Sequence, residues 1–152
     1  MKRSCLFLSM VALVFTVSLA LPGFAQNPIR ESDRILGKWE TKSGDNILIY
    51  KEGDQYFGRP VLKPGEVRLD EHNPDESLRD RSLNDIINMK DFRYTKKDFW
   101  SGGTIYDPNN GKTYKCHITM ESLDTIKVRG YIGFSLLGRT EVWSRVANKK
   151  QK

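Results

Sequence analysis

Cysteine, histidine and alanine are scarce in this chain of 152 residues, and each shortage excludes something. There are two cysteines and two histidines. Cys5 lies in an N-terminal apolar segment that reads as a leader, so Cys116 is left alone and no internal disulfide can form. His72 and His117 offer no His-x-x-x-His spacing, so a zinc site would have to be completed by carboxylates, and no metal or cofactor is expected. Beyond residue 25 a single alanine remains, Ala147, whereas Ile, Val, Thr, Tyr, Phe and Trp are plentiful. That balance excludes a helical protein and points to strands. No apolar run beyond residue 25 approaches the roughly 20 residues a bilayer-spanning helix requires.

The first 25 residues have the layout of a cleaved export signal. Lys2 and Arg3 precede an apolar run from Cys5 to Leu21, and Pro22-Gly23-Phe24-Ala25 then supplies small residues before Gln26. The run is short for an anchor and stops at a Pro-Gly breaker, which favours cleavage. No Cys follows it to carry a lipid. The expected product is residues 26–152, one soluble domain in the periplasm or secreted. It carries 23 basic against 19 acidic side chains once Lys2 and Arg3 are set aside, a net charge of +4. With acids interspersed among the bases, that charge is too modest for nucleic-acid binding, and no salt-sensitive DNA affinity is expected.

Short segments of period-two alternation recur between turn signals. They predict strands near 36–42, 45–51, 55–62, 90–95, 98–106, 112–120, 124–132 and 138–146. Ser43-Gly44, Glu52-Gly53-Asp54 and Asp107-Pro108-Asn109-Asn110-Gly111 mark hairpin turns. Eight strands are enough to close an up-and-down barrel around packed side chains or one small ligand. The expected fold is therefore all-β, a small closed or nearly closed antiparallel barrel. Its one long interruption is a crossover over 63–89, where Asn73-Pro74-Asp75-Glu76 predicts the start of a short helix.

Gly37-Lys38-Trp39 opens the first predicted strand and Arg145 lies on the last. In a closed barrel those strands are neighbours, so the Arg145 guanidinium can cover the Trp39 indole and seal one end. In the crossover, Asp75, Arg79, Asp80 and Arg81 form a charge cluster that either pins the segment to the barrel or receives an anion; pinning is favoured because surface charges are usually paired or solvated. Asp70, Glu71, Asn73, Asp75 and Glu76 fit no calcium-loop spacing. Along 112–120, alternation puts Cys116 inward with Tyr114, Ile118 and Met120, and turns His117 to the other face, so a Cys-His catalytic pair is excluded. Asp75, Asp80 and Asp107 could serve as acid and base, but their spacing does not demand it, and the balance leans against an enzyme.

Further along, Ile126, Val128, Gly130 and Ile132 share one strand face and Arg129 and Tyr131 the other, with Arg139, Glu141, Trp143 and Arg145 grouped on one face of the last strand. If Arg129 and Tyr131 face the lumen, the cavity suits an acidic head with an apolar body; if they face out, the interior is aliphatic. Trp100 and Tyr106 flank Gly102-Gly103. The glycines either leave lumen space beside the aromatics or bend a coiled strand around a filled core. Candidate ligand-lining residues are thus Trp100, Tyr106, Arg129, Tyr131 and Arg139.

The Gly-x-Trp start resembles the lipocalin and fatty-acid-binding superfamily. Asn73-Pro74-Asp75 with Leu78-Arg79-Asp80-Arg81, then Trp100-x-Gly102-Gly103-x-Ile105-Tyr106-Asp107-Pro108, Asn110-Gly111-Lys112-Thr113-Tyr114, and Lys127-Val128-Arg129-Gly130-Tyr131-Ile132-Gly133 through Gly138-Arg139-Thr140 together resemble one family. It is a family of secreted bacterial proteins with lipocalin-like barrels, catalogued as a domain of unknown function. Ser82 stands where members often carry Pro after the second Arg, which implies a less rigid loop. The resemblance implies an exported barrel and assigns no activity. Two functions follow as expectations: binding of a small amphipathic or lipid-like ligand, or a non-catalytic module docking an envelope protein or polymer through the 70–82 crossover.

Overall fold

The computed structural model describes residues 29–147; the expected leader and the basic tail at 148–152 lie outside them. Eight strands close into one antiparallel barrel in which every strand pairs with its sequence neighbours and the last with the first. They are β1 (Gly37–Glu40), β2 (Asn46–Glu52), β3 (Gln55–Val61), β4 (Met89–Lys96), β5 (Phe99–Asp107), β6 (Lys112–Ser122), β7 (Thr125–Tyr131) and β8 (Arg139–Arg145). All eight coincide with the alternating segments read from the sequence. Trp39 pairs with Arg145 across the β1–β8 seam, so the sheet has no free edge there.

One end of the barrel is filled and the other is open. Trp39, Trp100, Tyr56, Phe92, Met89, Ile118 and Ile126 are almost fully buried and pack the closed half. A 3-10 turn at Glu31–Ile35 lies across the base. Its carbonyls take the indole protons of the core: Trp39 Nε1 donates to Ile35 O at 2.8 Å and Trp100 Nε1 to Ser32 O at 3.1 Å. Its Asp33 carboxylate accepts from Lys51 Nζ at 2.8 Å and from the Tyr56 hydroxyl at 2.7 Å. These bonds leave no aromatic N–H unpaired in the packed end, where each unpaired donor would cost about 1–3 kcal/mol.

Arg145 locks this base. Its guanidinium lies 4.1 Å from the centre of the Trp39 ring and donates to Leu36 O at 2.8 Å, Arg34 O at 2.6 Å and Leu123 O at 2.5 Å. Gly37 is glycine for two reasons: its φ is +125°, and a Cβ there would sit 2.9 Å from Arg145 Nη1.

The 62–88 crossover contains two single 3-10 turns, Glu76–Leu78 and Leu83–Asp85, in place of the one short helix expected. Asp75, not Asn73, caps the first by accepting from Ser77 N. Ser82 caps the second by accepting from Asn84 N, so the residue that differs from the family pattern still fixes its loop. Leu69 and Ser82 form an isolated bridge, and Leu83 and Ile86 are buried.

Candidate functional site

The strand ends opposite the Trp39 base surround a cavity of about 830 Å³. Ile47, Pro60, Leu83, Ile105, Val128 and Trp143 supply apolar wall, and Asp45, Arg68, Asn88, Asp107, Arg139 and Glu141 supply polar groups. Strand parity explains the division. Ile126 and Val128 are buried, so they and Gly130 claim the inner face of β7, and the residues opposite them on β8, Trp143, Glu141 and Arg139, face inward as well. Trp143 is the floor: it is 3% exposed, and its Nε1 donates to Glu141 Oε2 at 3.2 Å. Arg139 Nη2 lies 3.4 Å from Glu141 Oε1 and reaches outward from it, so the inner wall carries one ion pair of mixed sign.

The five candidate lining residues fall in different places. Tyr106, Tyr131 and Arg139 border the cavity. Trp100 does not reach it, because the indole is fully buried in the closed half between Tyr56 and Tyr94. Arg129 is likewise removed from the lumen, since the inner face of β7 belongs to Val128 and Gly130. Its guanidinium instead donates to Ser135 O at 2.8 Å, Leu136 O at 3.2 Å and Thr140 Oγ1 at 2.7 Å. Tyr131 shares that outer face, its ring 5.8 Å from His117, and touches the cavity only at the rim.

Of the two readings of Gly102-Gly103, the structure takes the bend around a filled core. A Cβ at Gly103 would stand 2.5 Å from Lys90 O and from the Phe92 ring, so Gly103 admits Phe92 to the core. Gly102 has φ +80° at a register shift in the β5–β6 ladder, which is the bend that an extra residue produces. Space in the lumen comes instead from Gly130, where a Cβ would meet Tyr114 and Ile105 only at ordinary contact distances of 3.5 and 3.6 Å.

The crossover is fastened through a residue outside the expected cluster. Asp70, fully buried, accepts from the Tyr106 hydroxyl at 2.6 Å, Asn73 Nδ2 at 2.7 Å and Arg81 Nη2 at 2.8 Å. Burial alone would raise its pKa, but these three donors and the Arg81 charge hold it below the usual carboxylate range. Burial first, and then the hydrogen bond to the Asp70 carboxylate and its charge, push the Tyr106 hydroxyl up to about 12. Arg79 serves the crossover itself, donating to Asn73 O at 2.9 Å and pairing with Glu76, and Asp75 accepts from the Ser77 hydroxyl at 2.7 Å; Asp80 is exposed. Arg79 and Arg81 each pair with an acid of the segment, Glu76 and Asp70, as the pinning reading expects, while Arg81 Nε has no partner among the described residues. The backbone also docks here: a Cβ on Gly111 would sit 2.0 Å from His72 O, and its φ is +67°.

Cys116 is buried, and loss of solvation pushes its thiol up to about 12, which leaves no thiolate nucleophile near neutral pH. His117 lies on the opposite face between Phe99 and Tyr131, its pKa lowered by burial and by Arg129. Asp75, Asp80 and Asp107 are not gathered in the cavity; Asp107 alone lines it, and its carboxylate accepts from Asn109 and Asn110 within its own turn. Among the described residues no group of three or more His, Cys, Asp or Glu side chains is placed to hold a metal ion. No helix among them is long and apolar enough to cross a membrane.

Several lining residues carry no sequence signal of their own. Glu141 and Trp143 were legible as one face of β8 but could be assigned to the lumen only once Val128 was known to be inside. Asn88, Leu83 and Arg68 come from the irregular crossover, where no periodicity reports direction. Asn88 is 6% exposed and its Oδ1 has no hydrogen-bond partner, the only lining residue of which this holds among those described.

Residues 37–145 match the family model described as "uncharacterized protein conserved in bacteria (DUF2147)". No curated protein matches the chain. Among solved structures, protein HP1028 from Helicobacter pylori, described as belonging to the lipocalin family, aligns with a TM-score of 0.70 at 20% identity, over 76% of this chain and 84% of that one. At that identity the likeness shows a shared lipocalin-like fold.

Proposed function

Because the chain belongs to the bacterial DUF2147 family, described only as uncharacterized, function has to be argued from the barrel itself, and we propose that it is an exported binding protein for a small amphipathic or lipid-like molecule. The observation that carries this reading is the open half of the barrel: about 830 Å³, within the roughly 300–1,000 Å³ usual for small-molecule sites, with an apolar floor and a polar mouth. A packed interior with a charged outer groove would instead have favoured a docking module. The apolar body of the ligand lies between Ile47, Ile105, Val128 and Trp143, where burial is worth about 25 cal/mol per Å². Its polar end meets Arg139, Tyr131 and Glu141 near the mouth.

With Arg129 turned outward, the charge available to that polar end is the mixed Arg139–Glu141 pair. This supports a head that is neutral or zwitterionic and both donates and accepts, rather than a simple anion. No cofactor is required. Native mass spectrometry of the protein purified from its own host tests the reading. A bound small amphiphile released by organic solvent is the expected result; repeated recovery of empty protein, with no uptake of single-chain lipids on incubation, would overturn it.

A further inference from the structure

Among the described residues, the exposed large apolar side chains cluster most densely in a single short loop. Between β7 and β8, Ile132, Phe134, Leu136 and Leu137 are 65%, 82%, 86% and 80% exposed. Soluble proteins expose large apolar side chains singly, and clusters of this kind mark a contact surface. The loop is also held in shape. Arg129 donates to its Ser135 and Leu136 carbonyls, Leu137 N donates to Phe134 O at 3.1 Å, and a Cβ on Gly138 would come within 2.6 Å of Gly130 O. Phe134 and Leu136 are therefore displayed on a fixed tip, with Ile132 and Leu137 beside them at the rim of the cavity.

Charge at this end of the molecule is asymmetric. Lys42, Lys63, Lys112 and Arg139 are exposed around the mouth. Of the acids nearby, Asp45 and Glu66 pair with Arg68, Glu141 with Arg139, and Asp107 accepts within its turn, while Glu40 is exposed. What faces outward is an apolar tip beside three exposed lysines, Lys42, Lys63 and Lys112.

We propose that the β7–β8 loop is a membrane-docking tip, with Phe134, Leu136 and Leu137 entering the interfacial layer of a lipid bilayer while the mouth lysines meet anionic headgroups. A bilayer fits the patch better than a folded partner does. A stable protein interface engages some 20–30 residues a side, whereas four apolar side chains on one protruding loop with lysines beside it suffice for interfacial insertion. Docked in this way, the mouth of the barrel faces the lipid surface. The proposal goes beyond the binding reading and stands whether or not the cavity takes up a lipid.

Sedimentation with sucrose-loaded vesicles tests it, using phosphatidylcholine alone and phosphatidylcholine mixed with phosphatidylglycerol. The protein is expected to bind the mixed vesicles, more weakly at high salt. The Phe134→Ser/Leu136→Ser variant, which leaves the cavity-lining Leu137 in place, is expected to lose about tenfold or more in partition coefficient with unchanged thermal unfolding. Lys63→Glu/Lys112→Glu is expected to weaken binding to the mixed vesicles alone. Absence of binding by the unmodified protein, or equal partition of the Phe134/Leu136 variant, would overturn the proposal. So would a dimer in analytical ultracentrifugation that this variant converts to monomer, since a second copy would then be the occupant.

Discussion

Replacing Arg145 removes the lock on the barrel base, and its cost can be worked out from the contacts. The guanidinium donates to three backbone carbonyls, at 2.5, 2.6 and 2.8 Å, and covers the Trp39 ring at 4.1 Å. Hydrogen bonds from a charged donor are each worth about 1.5–3 kcal/mol, and a partly desolvated cation–π contact adds about 1 kcal/mol. The side chain is 23% exposed, so water can reclaim part of this once it is cut back. Arg145→Ala should therefore destabilise the fold by about 3–5 kcal/mol, a large share of the 5–15 kcal/mol that holds a typical domain together. Arg145→Lys should recover less than half of that, because one ammonium cannot reach three divergent carbonyls or stack on an indole. Urea unfolding followed by tryptophan emission measures both. With a slope of about 2 kcal/mol per molar, the alanine variant should lower the midpoint by roughly 2 M. A loss below about 1 kcal/mol, or a lysine variant equal to the parent, would refute the assignment of barrel closure to Arg145.

Asp70→Asn should destabilise by about 2–4 kcal/mol, because it removes the charge that Arg81 and the Tyr106 hydroxyl were buried to meet; thermal and urea unfolding read this directly. The pH dependence carries a defined sign. Asp70 and Asp33 have folded pKa values below their unfolded values, so the stability they confer is fully present above about pH 4 and is lost as pH falls further toward the folded values. The asparagine variant should show a shallower acid loss than the parent, and an identical slope would contradict the hub role. Cys116 should be inert to a thiol reagent such as dithiobis(nitrobenzoate) in the folded protein and react one-to-one in denaturant; rapid labelling of the native state would contradict its burial.

Strand positions were legible because most inner positions are apolar and each hairpin turn carries a glycine, asparagine or aspartate where the chain must reverse. Barrel closure was legible for a similar reason, since Gly37, Trp39 and Arg145 have roles that only neighbouring first and last strands can satisfy. Parity across the lumen was less accessible. The alternatives for β7 differed by which face took Arg129, and that choice depends on the summed burial of Ile126 and Val128 against their β6 and β8 neighbours. The Gly102-Gly103 pair could mean empty space or a tight fit, and the answer depended on Phe92, ten residues earlier on an adjacent strand. Asp70 gave no signal at all, because its partners Asn73, Arg81 and Tyr106 converge only after the crossover has docked. The β7–β8 tip was hidden in plain view: the apolar letters of Ile132 to Leu137 look like core until the strand is seen to end at Tyr131.

The central claim is that the open half of the barrel is a binding chamber. A titration with the methyl ester of cis-parinaric acid, an amphiphile with a neutral head, read by energy transfer from tryptophan, tests it most directly when carried out on the parent, on Gly130→Leu and on Phe134→Ser/Leu136→Ser. A leucine side chain at Gly130 begins at ordinary contact distance from Tyr114 and Ile105 and then projects into the lumen, so it fills space without breaking the sheet. Saturation at one probe per chain in the parent and the loop variant, with affinity reduced about tenfold or more in Gly130→Leu, is the expected result. Binding that survives Gly130→Leu unchanged while the variant remains folded would contradict the account.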